Sequence, residues 1–167
     1  MDAKRQSEPA PIKNRTTVER KSDRELVVTR TFNGSARLVF EAWTEPELFR
    51  QWWVPRSMGM SLLSCEMDVR VGGKYRLEFA HGDSRAAFFG TYKEVTPHSR
   101  LVWTNEESDG GSVTTVTFEE RVGKTLLVMH ELYPSKEALD AAGTGAADAM
   151  VETFAQLDEL LATSPRA

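Results

Sequence analysis

The sequence predicts an α+β fold in which a seven-stranded, curved antiparallel sheet wraps around one long C-terminal helix, with two short helices between strands 1 and 2. Three observations predict it. From Ser61 to Leu132, six runs alternate polar and apolar side chains and are separated by short turns, the pattern of an antiparallel meander. A seventh run, Glu25 to Phe32, precedes a helical insertion. In Gly145 to Leu161, Met150, Phe154, Leu157 and Leu161 fall at i, i+4, i+7 and i+11, one stripe of a helix. Asp148, Glu152, Gln156 and Glu159 lie mostly on the other side. An apolar sheet face needs cover, and this helix is the element to supply it.

The 167 residues suit one domain, and a chain of that size buries enough surface to need no staple. The net charge of −4 argues against a nucleic-acid module. The single Cys65 excludes an intrachain disulfide and fits a cytoplasmic location. No run of 18 apolar residues is present, so no membrane insertion is expected, and the polar N-terminus lacks the apolar core of a secretory signal.

Residues 1–24 contain Pro9, Pro11 and mixed charges with few aliphatics, and read as a disordered tail. The domain spans 25–162, and 163–167 fray. Glu25 to Phe32 (ELVVTRTF) is β-branched and partly alternating, hence a strand. Ser35 is a good N-cap for an amphipathic helix over Ala36 to Trp43. Thr44 and Pro46 open a second short helix, Pro46 to Trp53, which Pro55 stops.

The strands that follow are Ser61 to Val69, Lys74 to Phe79, Arg85 to Val95, Arg100 to Glu106, Ser112 to Arg121 and Lys124 to Leu132. Gly90 marks a bulge position in the third of these. Asp109-Gly110-Gly111 and Val122-Gly123 are hairpin turns. Ser135 caps a short helix over Lys136 to Ala142. Gly143-Thr144-Gly145 should break it, so that the last helix enters as an independent lid. Such a helix is about 25 Å long. It cannot fill the concavity of a curved seven-stranded sheet, so an internal cavity follows.

Four segments carry a family likeness: Val39-Phe40-Glu41-Ala42-Trp43-Thr44-Glu45-Pro46 with Trp52-Trp53 downstream; Asp68-Val69-Arg70-Val71-Gly72-Gly73-Lys74-Tyr75-Arg76; Gly90-Thr91-Tyr92 leading to Arg100-Leu101-Val102-Trp103-Thr104; and Tyr133-Pro134-Ser135. In that order and spacing the chain resembles the START-like (SRPBCC, helix-grip, birch-pollen-allergen-like) superfamily. Within it, the chain is similar to bacterial proteins related to the C-terminal domain of the activator of Hsp 90 ATPase. The resemblance runs from about Glu25 to Leu161 and implies a helix-grip fold with a cavity between sheet and helix. It also implies binding of apolar small molecules such as lipids, sterols or polyketides, and carries no universal catalytic residue. The eukaryotic co-chaperone has a separate N-terminal domain that contacts the chaperone. A short polar tail stands there in this sequence, which argues against direct chaperone activation.

The candidate ligand-binding residues are apolar: Trp52, Trp53, Tyr75, Leu77, Phe79, Phe89, Trp103, Met129, Met150 and Phe154. Apolar walls with a few polar groups are what small-molecule sites look like. Trp43 reads as a structural anchor, and Leu157 and Leu161 as core. His130 and Glu131 are candidate polar orienting groups, and being adjacent on a strand only one can face the interior. Alternation with Leu127 and Met129 sends Glu131 inward; alternation with Leu126, Val128 and Leu132 sends His130. His81 and His98 sit in turns, and the wide spacing of the three histidines disfavours a metal site. No cofactor motif is present. Asp68 and Arg70 read as a solvated charged face able to pair with Arg76 or Glu78, the acidic run from Glu106 to Asp109 as solvated, and Cys65 as a buried thiol. The leading expectation is binding of a lipid-like, polyketide or polyphenol molecule. The alternatives are an aromatase/cyclase- or hydrolase-type enzyme using the same cavity, and a co-chaperone-like interaction module.

Overall fold

The computed structural model describes residues 16–106 and 111–163. It has eight strands: β1 (Thr17–Arg20), β2 (Glu25–Phe32), β3 (Ser61–Met67), β4 (Lys74–His81), β5 (Ser84–Thr96), β6 (Arg100–Asn105), β7 (Ser112–Arg121) and β8 (Lys124–Leu132). They form one sheet in the order β1-β2-β8-β7-β6-β5-β4-β3, every neighbouring pair antiparallel. Helices α1 (Ala36–Thr44) and α2 (Pro46–Phe49) follow β2, and α3 (Lys136–Thr163) closes the chain.

The strand count corrects the expected seven. Residues Thr17–Arg20, assigned above to a disordered tail, pair with Leu26 to Thr29 along the edge of β2. All four are exposed, so their alternation carries no apolar signal. What recruits them is the free edge of β2, which has unpaired backbone groups to satisfy. Residues 1–15 and 164–167 lie outside the described residues, as do 107–110, which hold most of the acidic run.

The inner face of the sheet is read directly from the alternation. On β2, Leu26, Val28, Arg30 and Phe32 are buried; on β4, Tyr75, Leu77 and Phe79. The long strand β5 serves two partners. Its first half pairs with β4, and its second half, from Tyr92, with β6. The bulge expected at Gly90 lies instead between Tyr92 and Glu94. Gly90 has another role: a Cβ there would sit 1.8 Å from the Thr104 carbonyl oxygen, so the two backbones meet only because the side chain is missing.

Ser35 caps α1, its hydroxyl accepting from the Leu38 N–H at 3.2 Å. The second helix is shorter than its apolar pattern predicts, ending at Phe49 rather than Trp53, and a 3-10 turn over Arg56–Met58 follows. Thr44 does not cap it. The Thr44 hydroxyl donates back to the Phe40 carbonyl, and Glu45 takes the cap position without a side-chain bond.

Helix α3 corrects the largest expectation. It runs for 28 residues without a break at Gly143-Thr144-Gly145, about 42 Å instead of 25 Å. Both glycines are accommodated at the usual cost of about 1 kcal/mol each. There is no independent lid helix. The core lies between the C-terminal half of α3, helix α1 and the sheet, and holds Val28, Phe32, Trp43, Trp52, Leu127, Met129, Phe154, Leu157 and Leu161.

Candidate ligand-binding site

The N-terminal half of α3 meets the sheet differently from its C-terminal half. It presents Ala138, Ala142 and Ala149, where the C-terminal half presents Phe154, Leu157 and Leu161. Small side chains leave the sheet face uncovered, and a cavity of about 590 Å³ opens there. That volume is in the range of small-molecule sites. Its walls are Trp43, Phe49, Trp53, Tyr75, Leu77, Phe79, Tyr92, Trp103 and Met150, with Met58 and Phe88 marking the exposed mouth.

Trp43 anchors one end. Its ring lies within 4.8–6.4 Å of Phe49, Trp52, Trp53, Trp103, Phe118 and Phe154. It therefore both packs the helices onto the sheet and faces the cavity. Trp53 stacks on Phe49 with ring centroids 4.7 Å apart. The segment that carries Trp53, Val54, Pro55 and Met58 to the cavity is tied down by α3. Gln156 accepts from the Arg56 N–H at 2.9 Å and donates to the carbonyls of Trp52 and Val54 at 3.0 and 2.9 Å. Glu152 accepts from the Ser57 N–H at 2.9 Å and from its hydroxyl, bonds that hold its carboxyl below the usual range. Arg56 reaches Glu159 at 3.1 Å. Gln156 is thus buried, although helical spacing places it on the polar side.

The other end is polar, and the sheet register builds it. Trp103, Thr114 and Glu131 are successive cross-strand partners on β6, β7 and β8. Two residues further along the same face come Asn105 on β6, Ser112 on β7 and Tyr133 beyond β8. The Asn105 amide donates to Ser112 Oγ at 2.9 Å and to Thr114 Oγ1 at 3.0 Å. The Thr114 hydroxyl donates to Glu131 Oε1 at 3.1 Å. The Tyr75 hydroxyl lies 2.9 Å from the Thr104 carbonyl oxygen and 3.0 Å from Asn105 Oδ1. It reaches them across Gly90, its pairing partner, where a Cβ would be 2.9 Å from the Tyr75 ring. Burial and the Glu131 charge push the Tyr133 phenol up to about 12, so it stays a neutral donor.

The choice between His130 and Glu131 is decided by this register. Glu131 shares the inner face with Thr125, Leu127 and Met129 and lines the cavity. His130 points to the other face, its Nε2 2.9 Å from Glu25. Of the candidate apolar residues, Trp53, Tyr75, Leu77, Phe79, Trp103 and Met150 line the cavity. Four do not. Trp52 is fully buried with its indole N–H on the Ala42 carbonyl at 3.0 Å. Met129 and Phe154 belong to the closed core, where the large side chains of α3 fill the space. Phe89 faces outward, its ring 6.0 Å from the Arg76 guanidinium, because Phe88 has the inward parity beside Leu77. The polar partners Asn105, Ser112 and Thr114 were missed. Their signal is the parity they share with Trp103 and Glu131 across a hairpin.

Elsewhere, Asp68 pairs with Arg70 at 2.9 Å and Arg76 with Glu78 at 3.0 Å, each within its own segment rather than across strands. Glu106 accepts from Thr91 and Thr104. Cys65 is half-buried and burial raises its thiol pKa, which disfavours a nucleophilic role. Among the described residues no cluster of three or more His, Cys, Asp or Glu could hold a metal, and no helix is long and apolar enough to cross a membrane.

Comparison with known proteins places these features in a family. The family model described as Activator of Hsp90 ATPase homolog 1-like protein matches residues 33–162. Among solved structures, a protein of Rhodobacter sphaeroides superposes with a TM-score of 0.83 at 24% identity, covering 90% of this chain and 99% of that one. A protein of Staphylococcus epidermidis gives 0.76 at 25% identity over 90% of this chain and 96% of that one. An AHSA1-like protein of Aeromonas hydrophila gives 0.68 at 17% identity over 84% and 98%. A comparison with curated proteins gave no match.

Proposed function

We propose that this chain, which belongs to the family of Activator of Hsp90 ATPase homolog 1-like proteins, binds an apolar small molecule between its sheet and its C-terminal helix. The observation that carries the reading is the cavity of about 590 Å³, walled by aromatic and aliphatic side chains and closed at one end by a connected polar row. Burying an apolar molecule there gains about 25 cal/mol per Å² of surface removed from water. The polar row orients it, because a ligand group left unpaired at that end would lose its hydrogen bonds to water.

A solution titration against lipids, flavonoid-like polyphenols and polyketides tests the reading. Binding shifts the signals of Trp53, Tyr75, Trp103 and Met150 before those of Leu157 and Leu161. Met150→Trp, which fills part of the cavity, is expected to weaken a ligand found in this way while leaving the unfolding midpoint nearly unchanged. If no compound in the panel shifts the cavity residues, the reading fails for those classes.

A further inference from the structure

Resting on the ligand-binding reading, we propose that the cavity selects amphiphiles with a protonated amine head, seated with the ammonium against the Glu131 carboxylate and the apolar tail along the aromatic walls. The argument is one of charge inventory. Of the side chains that line the cavity, Glu131 is the only carboxylate, and none is a lysine, arginine or histidine. His130, the adjacent residue, is turned to the other face and engaged with Glu25. A carboxylate or phosphate head entering this space would therefore meet a like charge and no cation. An ammonium would meet an opposite charge in a site of reduced dielectric, where the attraction exceeds its value in water.

The hydrogen-bond directions agree. The Asn105 amide is spent on Ser112 and Thr114, and the Thr114 hydroxyl on Glu131. The Tyr75 hydroxyl is directed to Thr104 and Asn105. The donors of the row run toward the carboxylate, so the end of the row is rich in acceptor oxygen. A donor-bearing head complements it. Trp103, which faces Thr114 in the register, and Tyr75 add aromatic rings of the kind that attract a cation.

The test uses three probes with one tail: decylamine, decanol and decanoate, titrated into the full chain near neutral pH with the Trp103 and Met150 signals and the heat as readouts. Decylamine is expected to bind about tenfold or more tighter than decanoate, the size of a charge-assisted contact. Glu131→Gln keeps the shape and an acceptor for Thr114. It is expected to remove the amine preference by the same factor while decanol binding stays within about twofold, the mark of an intact cavity. If decanol binds and decylamine is no tighter than decanoate, or the preference survives in Glu131→Gln, the amine selectivity is overturned and the cavity reading stands. If none of the three binds, the cavity reading fails for alkyl ligands and the inference falls with it. Should Glu131→Gln not fold, the wild-type ratio of decylamine to decanoate decides.

Discussion

Gly90 serves two contacts that no other residue could permit together. Its missing side chain lets the Thr104 carbonyl approach and lets the Tyr75 ring pass over to Asn105. Gly90→Ala is expected to cost more than about 2 kcal/mol, the upper part of the overpacking range, because the nearest obstacle is backbone. Urea unfolding measures it, and a loss under about 0.5 kcal/mol would mean that β5 and β6 can separate freely. Arg30 carries a different burden. It is buried on the inner face of β2, with Asp158 of α3 at 2.9 Å and Thr16 at 2.8 Å, while Arg30 Nε and Asp158 Oδ1 have no hydrogen-bond partner among the described residues. Arg30→Met strands a buried carboxylate and should cost about 3–5 kcal/mol; adding Asp158→Leu should recover most of it. Denaturant curves for the single and double variants separate the two, and a double variant as unstable as the single one would show that the ion pair itself is stabilising. Neither residue's role was legible from its neighbours in sequence. Gly90 reads as a bulge, and Arg30 reads as a polar residue in an otherwise apolar strand. The inward choice of Glu131 was equally closed to inspection, because β8 is apolar on both parities and only its pairing with Thr114 distinguishes them.

At the scale of elements, periodicity located β2 through β8 and α1 well, because each has one buried face that imposes its period. It failed where no such face exists, as in β1, or where local propensity was weighed against tertiary packing, as at Gly143-Thr144-Gly145. Helix α3 stays whole there because the flanking segments are both held, Leu139 being buried on one side and Phe154 on the other. The stripe that mattered for the site was not the large residues but the small ones. Ala138, Ala142 and Ala149 share the face that continues as Phe154 and Leu157, and their size is what leaves the cavity open. Ala142→Leu and Ala149→Leu should therefore fill space rather than clash. Each is expected to weaken a bound cavity ligand about tenfold, while helix propensity close to that of Ala keeps stability within about 1 kcal/mol. Paired calorimetric titrations and thermal melts read both quantities. A variant that loses more than about 2 kcal/mol with ligand affinity intact would place these alanines in ordinary core.

The whole molecule is then a sheet gripped by one helix at two different strengths. The C-terminal half of α3 is fixed by Phe154, Leu157 and Leu161 in the core, by Gln156 to the segment after α2, and by Asp158 to Arg30. Its N-terminal half faces the cavity through alanines and has fewer apolar contacts to lose on opening. Regions with sparse burial open locally at a lower free energy than the global unfolding of the core. Hydrogen exchange should accordingly grade along a single helix, with amides of 154–161 among the slowest and those of 138–142 faster. A ligand in the cavity binds the closed form, so it should slow 138–142 in proportion to ln(1 + [L]/Kd) until global unfolding becomes the limit. The 154–161 amides already exchange near that limit and should respond only through the overall rise in stability. This gradient ties the packing of α3 to ligand entry: the half of the helix that leaves room for a guest is the half that can move to admit it. Equal protection along α3, unchanged by ligand, would instead mean that the helix opens only as a unit and that guests enter past Met58 and Phe88 at the exposed mouth.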